Sequence, residues 1–226
     1  SNPDNRLVLR YINFIFIPVV NVQGYVRQSP NGRMTQNGPN TAGRRVTNSN
    51  RNLYRDFAKA ETPEVQALVK IMRDYDVSFY IDLQSSDSVN FQPDVTWCDN
   101  GDAGLSNSIF SWLRSTMLPN LTEYLESYNH FPGPCALVNN PLDPTSGYYP
   151  FLSDGPTYSA NYADHIQIPA YLLQVHALKP FHQRVLGAHA FIKGVVDIVV
   201  AERESLRQAI IEDRGARVGK YLTMSQ

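Results

Sequence analysis

Charge imbalance, cysteine and long apolar stretches are all scarce in this sequence, and each scarcity removes a class of function. Lys and Arg number 20 against 21 Asp and Glu, a formal net charge of -1. No electrostatic field therefore favours nucleic acid or an anionic membrane surface, and the partner expected is protein or peptide. No apolar run approaches the roughly 20 residues that cross a bilayer, so no membrane span is expected. The first residues, Ser1-Asn2-Pro3-Asp4-Asn5-Arg6, lack the basic and apolar regions of a signal peptide, and any targeting segment is expected to lie outside this sequence. The two cysteines, Cys98 and Cys135, allow one disulfide in an oxidising compartment and equally suit two thiols in a reducing one. The triplet Asn120-Leu121-Thr122 fits a glycosylation acceptor but falls within a predicted helix and carries no weight.

What is present is a globular composition, 42% hydrophobic and 18% charged over 226 residues, enough for one domain with a large core. Residues 11–20 form a nearly unbroken apolar run rich in Ile, Phe and Val, which predicts a strand buried on both faces. Residues 28–52, crowded with Asn, Gly, Pro, Arg and Ser, predict a long loop of the kind kept for function. Glu61-Thr62-Pro63-Glu64 predicts a helix start, with Val65, Leu68, Val69 and Met72 as its buried stripe. A strand is predicted over 77–83, ending in the polar run Gln84-Ser85-Ser86-Asp87-Ser88. Helical spacing runs over 104–128 through Leu105, Ile109, Trp112, Leu113, Leu121 and Leu125, with Pro119 as a kink or break. Residues 131–164 read as irregular, and their run Tyr148-Tyr149-Pro150-Phe151 as packing of that segment on the core. A third strand is expected over 170–175, and a helix over 181–203 burying Val185, Ile192, Val195, Val196 and Val199. Alternation of strands and helices predicts an α/β layered sheet with ligand sites in the loops at the strand ends.

Four segments in order carry a family resemblance. Ile17-Pro18-Val19-Val20-Asn21-Val22-Gln23-Gly24 resembles a strand ending in Pro-x-x-Asn-Pro-Asp-Gly, with Val22-Gln23 in place of Pro-Asp. Asn52-Leu53-Tyr54-Arg55-Asp56-Phe57 resembles Leu-Asn-Arg-Asn-Phe, and the helix start at Glu61 follows it. Phe79-Tyr80-Ile81-Asp82-Leu83-Gln84 matches a strand that ordinarily ends in His, and Leu173-Gln174-Val175-His176-Ala177-Leu178-Lys179-Pro180 resembles Glu-Thr-His-Ser-Leu-Lys-Pro. Together, from about Ile12 to Arg203, they resemble the M14 zinc carboxypeptidases. The resemblance implies a mixed, mostly parallel twisted sheet flanked by helices, a single domain over 1–226 that lacks its N-terminal part, with 204–226 as a helical extension.

It also implies a zinc site and a catalytic glutamate, and here the sequence departs from the pattern. The family holds zinc through a His-x-x-Glu motif and a later His. No His-x-x-Glu occurs, and the later His position is Gln84, a neutral amide and a poor zinc ligand. Gln174 stands where the family carries its general base, a role that requires a titratable carboxylate. On the substrate side, Arg55 matches the family Arg that grips a peptide's C-terminal carboxylate, with Tyr54 in place of its Asn neighbour. Arg33 matches a further substrate-loop Arg, and Gln36 replaces the Arg that polarises the scissile carbonyl. Tyr158 and Tyr162 are two candidates for the family's active-site Tyr, between which spacing does not choose. His176, His182 and His189 read as hydrogen-bonding residues, and the charges around Glu202 and Glu212-Asp213-Arg214 as solvated faces.

The function expected is that of a catalytically inactive M14-like protein, a binding or structural subunit of a larger assembly, without a cofactor. The alternative is a working zinc carboxypeptidase whose His-x-x-Glu ligands lie on a separate segment. The partners implied are the N-terminal segment of the same domain or another subunit, together with peptide C-termini. Analogy with exported relatives implies a secreted or periplasmic location.

Overall fold

The structure, a computed structural model, describes residues 8–86, 89–98, 107–140, 143–150 and 155–217. Its centre is a four-stranded mixed sheet of β1 (Tyr80–Ser85), β2 (Val95–Cys98), β3 (Pro132–Pro134) and β6 (Ala170–Val175), in the order β1-β6-β2-β3. Strand β6 runs parallel to β1 and antiparallel to β2, which in turn runs parallel to β3. A small antiparallel ribbon, β4 (Ala136–Val138) with β5 (Tyr148–Pro150), lies outside this sheet. The side chains of Tyr148 to Phe151 lie outside the described residues, as does Leu105.

Period-two alternation divides the sheet between two cores. Val95, Trp97, Tyr171, Leu173 and Val175 pack on one face against α3 (Asn107–Trp112), a π-helical turn (Leu113–Met117), α4 (Leu118–Ser127), α6 (Phe181–Ala201) and α7 (Arg203–Arg217). Cys98, Ala170 and Leu172 pack on the other against α2 (Pro63–Asp74) and α5 (Ser159–His165). Helix α2 starts as its sequence predicts: Thr62 Oγ1 accepts from Val65 N, and the Asp56 carboxylate accepts from Glu61 N, Thr62 N and Thr62 Oγ1. The predicted break at Pro119 is a widened turn. Proline lacks an N–H and crowds the carbonyl four residues back, and the helical run absorbs this in the π turn, where Leu118 N bonds Leu113 O.

Several expectations change, among them the irregular reading of residues 131–164, which hold β3, β4, β5 and most of α5. The run 11–20 forms no strand, and Ile15, Phe16 and Ile17 are 47%, 72% and 41% exposed. Apolar, β-branched composition gives propensity, but a strand requires a neighbour to complete its hydrogen bonds. Strand β2 was not legible, since its four residues are buried on both faces and show no alternation. On α6 the buried apolar stripe is Gly187, Ala190, Phe191, Gly194, Val195 and Ile198, whereas Val185 is 50% exposed and Ile192, Val196 and Val199 are half-buried. Small residues let the helix approach closely. A Cβ at Gly194 would meet Tyr124 Cδ1 at 2.8 Å, and one at Gly187 would meet Val95 Cγ2 at 2.8 Å.

Helix α7 belongs to the fold rather than hanging from it. Leu206, Ala209 and Ile210 join the first core, and Asp213, read above as part of a solvated face, is 5% exposed. Its carboxylate accepts from Ser108 N at 3.0 Å and Ile109 N at 2.8 Å, capping α3 from a distant element. No described helix is long and apolar enough to cross a membrane. Residues 218–226 of the expected extension lie outside the described residues.

Candidate functional site

The carboxyl ends of β1 and β6 meet at Ser85 and Val175, and a cleft of about 420 Å³ opens there. This is where open α/β sheets place ligands, because the strand ends leave loops free to gather side chains. Leu83, Val175 and Phe181 give the cleft an apolar wall, and Tyr54, Gln84 and Ser85 give it polar groups. Arg33, Arg45 and Arg184 line it as well, with no Asp or Glu among its described lining residues.

Loop 28–52 forms the roof, and its anchors are specific. Asn21 caps a short helix, α1 (Val22–Val26), by accepting from Gly24 N, while its amide donates to the carbonyls of Arg44 and Arg45. Gln36 donates through its amide to Ser85 Oγ at the tip of β1. Arg184, on the first turns of α6, donates through Nη2 to the carbonyls of Asn37 (2.6 Å) and Gly38 (2.5 Å), through Nη1 to Gln36 Oε1 (3.4 Å) and through Nε to Lys179 O (3.1 Å). The loop is thereby fixed over the strand ends without secondary structure of its own beyond the Ser29–Ala42 bridge.

Below the cleft, Gln84 and Gln174 stand opposite each other in the β1–β6 register, with Thr96 of β2 opposite Gln174 on its other side. Gln84 Nε2 donates to Asp82 Oδ2 at 3.0 Å, and Ser159 Oγ donates to the same oxygen at 2.6 Å. The Asp82 residue is half-buried but its carboxyl is enclosed. Burial pushes that carboxyl above the usual range, against the hydrogen bonds from Ser159 and Gln84. Burial, helped by the nearby Asp82 carboxylate, likewise raises Tyr54 and Tyr80, so both phenols stay protonated donors at neutral pH. With the Gln84 amide nitrogen held by Asp82, its Oε1 remains to accept. Gln174 turns away from the cleft lining, with Oε1 3.7 Å from Cys135 Sγ. Cys135 and Cys98 form a disulfide between the end of β2 and the segment after β3, which resolves the alternatives left open by two cysteines.

The structure thus brings Arg33, Tyr54 and Gln84 into one cleft and Gln36 beside them through Ser85 and Arg184. Arg55 is exposed outside the lining, its guanidinium 5.8 Å from the Tyr158 ring. Tyr158 packs against the cleft residue Tyr54 at 4.8 Å between centroids, while Tyr162 packs against Phe57 at 5.8 Å, and neither lines the cleft itself. Sequence reasoning missed Arg45 and Arg184. The Arg44-Arg45 pair in a functional loop was the available signal for the first, and nothing marked Arg184 among helix residues.

Zinc in proteins takes thiolate, imidazole or carboxylate donors in a compact set. Among the described residues no group of three or more His, Cys, Asp and Glu could hold a metal. The strand-end positions carry two amides and a hydroxyl, Asp82 is spent on Ser159 and Gln84, and Cys135 is oxidised. His176 uses both ring nitrogens on the backbone, Nε2 to Phe91 O and Nδ1 from Leu178 N, and burial lowers its pKa, favouring the neutral ring. These residues do not fit a zinc ion.

Comparison with known proteins bears on this geometry. The profile of the zinc carboxypeptidase family, peptidase M14, matches residues 1–132. Among solved structures, a metallo-carboxypeptidase from Pseudomonas aeruginosa in complex with (2-guanidinoethylmercapto)succinic acid is similar at 13% identity and a TM-score of 0.52, covering 73% of this chain and 43% of that one. A metallo-carboxypeptidase from Burkholderia cenocepacia is similar at 12% identity and a TM-score of 0.49, covering 71% and 41%. The chain therefore spans about two fifths of the length of these solved structures. No curated protein matches it.

Proposed function

Because the chain belongs to the zinc carboxypeptidase family, we propose that it is a non-hydrolysing member that binds peptide carboxyl termini and serves as a binding subunit of a larger assembly. The observation that supports this most is the register pair Gln84 and Gln174 at the ends of β1 and β6. An amide keeps the hydrogen-bonding capacity of a carboxylate or imidazole and gives up its proton chemistry. A missing general base alone slows hydrolysis by roughly 10²- to 10⁴-fold. What lines the cleft suits recognition: arginines, whose paired N–H donors match a carboxylate, a protonated Tyr54, and Gln84 Oε1 to accept an N–H.

The partner is a further segment of the same domain or another subunit. Two observations support a covering partner: β1 stands at the edge of the described sheet, and Phe16 and its neighbours Ile15 and Ile17 expose a run of apolar surface.

Elemental analysis of the intact protein beside a peptide-cleavage assay tests the reading. The expected result is substoichiometric zinc and no release of C-terminal residues from peptides that bind. Stoichiometric zinc with turnover replaces it with the working carboxypeptidase.

A further inference from the structure

The near-zero net charge conceals a segregation. Of the 20 Lys and Arg, eight arginines lie in residues 5–55, a stretch without Asp, Glu or Lys, and the rest of the chain sets the other 12 against all 21 Asp and Glu. The basic stretch is the one that builds α1 and the roof loop. Helix α1 is pinned from one side: Gly24 is buried, its carbonyl accepts from Arg44 N at 2.9 Å, and Asn21 ties the cap to the carbonyls of Arg44 and Arg45. The outward side carries Val22, Tyr25 and Val26, at the i, i+3 and i+4 spacing of one helix face and each more than half exposed. Arg27 follows them as the C-cap, and Arg44 is held beside the turn by its bond to Gly24. Both arginines are exposed, and among the described residues neither has a carboxylate partner.

Single exposed apolar residues are ordinary, but here hydrogen bonds from a distant part of the loop hold a helical turn with its apolar face to solvent. Arginine and tyrosine beside aliphatic groups, without Lys, Asp or Glu, is the composition enriched at protein–protein interfaces, whereas surfaces that bind nucleic acid are more polar. We infer that the outer face of α1, bordered by Arg27 and Arg44, docks a partner protein through an apolar segment flanked by Asp or Glu. This rests on the reading that a partner covers this chain, and it names the face and the partner's chemistry. Val22, Tyr25, Val26, Arg27 and Arg44 all lie outside the lining of the strand-end cleft, so the two surfaces are separate. Apolar burial supplies affinity, and the charges at the border select the partner. Because Asn21 already fixes α1, docking orders little backbone.

Three labelled peptides, each blocked at both ends so that no terminal carboxylate takes part, test this. One has a Leu-Phe-Leu centre flanked by Glu, one has Lys in place of every Glu, and one has Ser in place of the centre. Their affinities for the intact protein are measured by fluorescence anisotropy. The first is expected to bind about tenfold tighter than either of the others, the size of one charge-assisted bond or one buried side chain. Its lead over the Lys peptide should shrink in high salt and vanish when Arg27→Gln and Arg44→Gln are combined. Its lead over the Ser peptide should vanish when Val22→Ser and Val26→Ser are combined. All four positions are exposed, so the far-ultraviolet circular dichroism of both variants should stay that of the parent. Equal affinity for the Glu and Lys peptides, no binding of any peptide, or leads that survive both variants overturn the inference. So does tighter binding of a single-stranded oligonucleotide or of phosphatidylserine vesicles that the arginine variant abolishes, since the face then takes a polyanion rather than a protein. Zinc content and peptide cleavage test the reading of the cleft separately, so either can fail while the other stands.

Discussion

Asp213→Ala perturbs the fold at a point that looked inert in sequence, and the structure supplies its magnitude. The carboxylate reaches from α7 to accept from Ser108 N and Ile109 N at the start of α3. A lost capping side chain costs about 1 kcal/mol. Loss of a negative charge from a helix N-terminus adds roughly 0.3–1 kcal/mol. Two backbone donors left in a region where Ile109 is fully buried bring the sum to about 2–3 kcal/mol. Asp213→Asn keeps one acceptor oxygen and should cost about half as much. The control lies next door. Arg214 pairs with Asp76 at 2.9 Å, but both side chains are solvent-accessible, so Arg214→Ala should change stability by less than about 0.5 kcal/mol. Urea unfolding of the intact protein, followed by tryptophan fluorescence, reports directly because Trp112 lies in the capped helix and bonds Ser205 of α7. If Asp213→Ala and Arg214→Ala shift the midpoint equally, the carboxylate does not cap α3 and this reasoning fails.

Two further outcomes follow from the same fold. Burial pushes the Asp56 carboxyl up, but the Thr62 hydroxyl and the backbone N–H groups of Thr62 and Glu61 outweigh it and hold it below the ordinary value. A depressed carboxyl contributes stability that is complete above its unfolded pKa and is lost as pH falls through the folded value. The stability gap between parent and Asp56→Asn should therefore narrow as pH drops from about 5 towards 2, measured by urea titration, and parallel curves would count against it. Reduction of Cys98–Cys135, which spans 37 residues, should lower stability by about 4 kcal/mol on the chain-entropy estimate, read from unfolding with and without reductant. An unchanged midpoint would mean that the bridge does not constrain the unfolded chain.

Periodicity and local chemistry were enough for the elements whose causes lie within a few residues. The start of α2 follows from Thr62 and Pro63, the widened turn from Pro119, and β6 from an apolar run of the right length. The motifs around Asn21, Leu53 and Gln84 lie within the matched residues 1–132, and two of the expected site residues they contain, Tyr54 and Gln84, line one cleft. Sequence could not rank Tyr158 over Tyr162, because that choice depends on which ring meets Tyr54 across the fold. Nor could it separate Asp213 from its charged neighbours, since its partners lie more than a hundred positions away.

By itself, then, the sequence determined local conformation and the identity of the side chains at the strand ends: hydrogen-bonding range and side-chain period are properties of short segments. Only the tertiary structure decided which surfaces meet. It left the run 11–20 without a strand to pair with, brought α6 against the sheet at Gly187 and against α4 at Gly194, and set an arginine from α6 beneath a loop almost 150 residues earlier. Those outcomes depend on close packing and on completing every buried hydrogen bond across the chain, which no window of sequence contains.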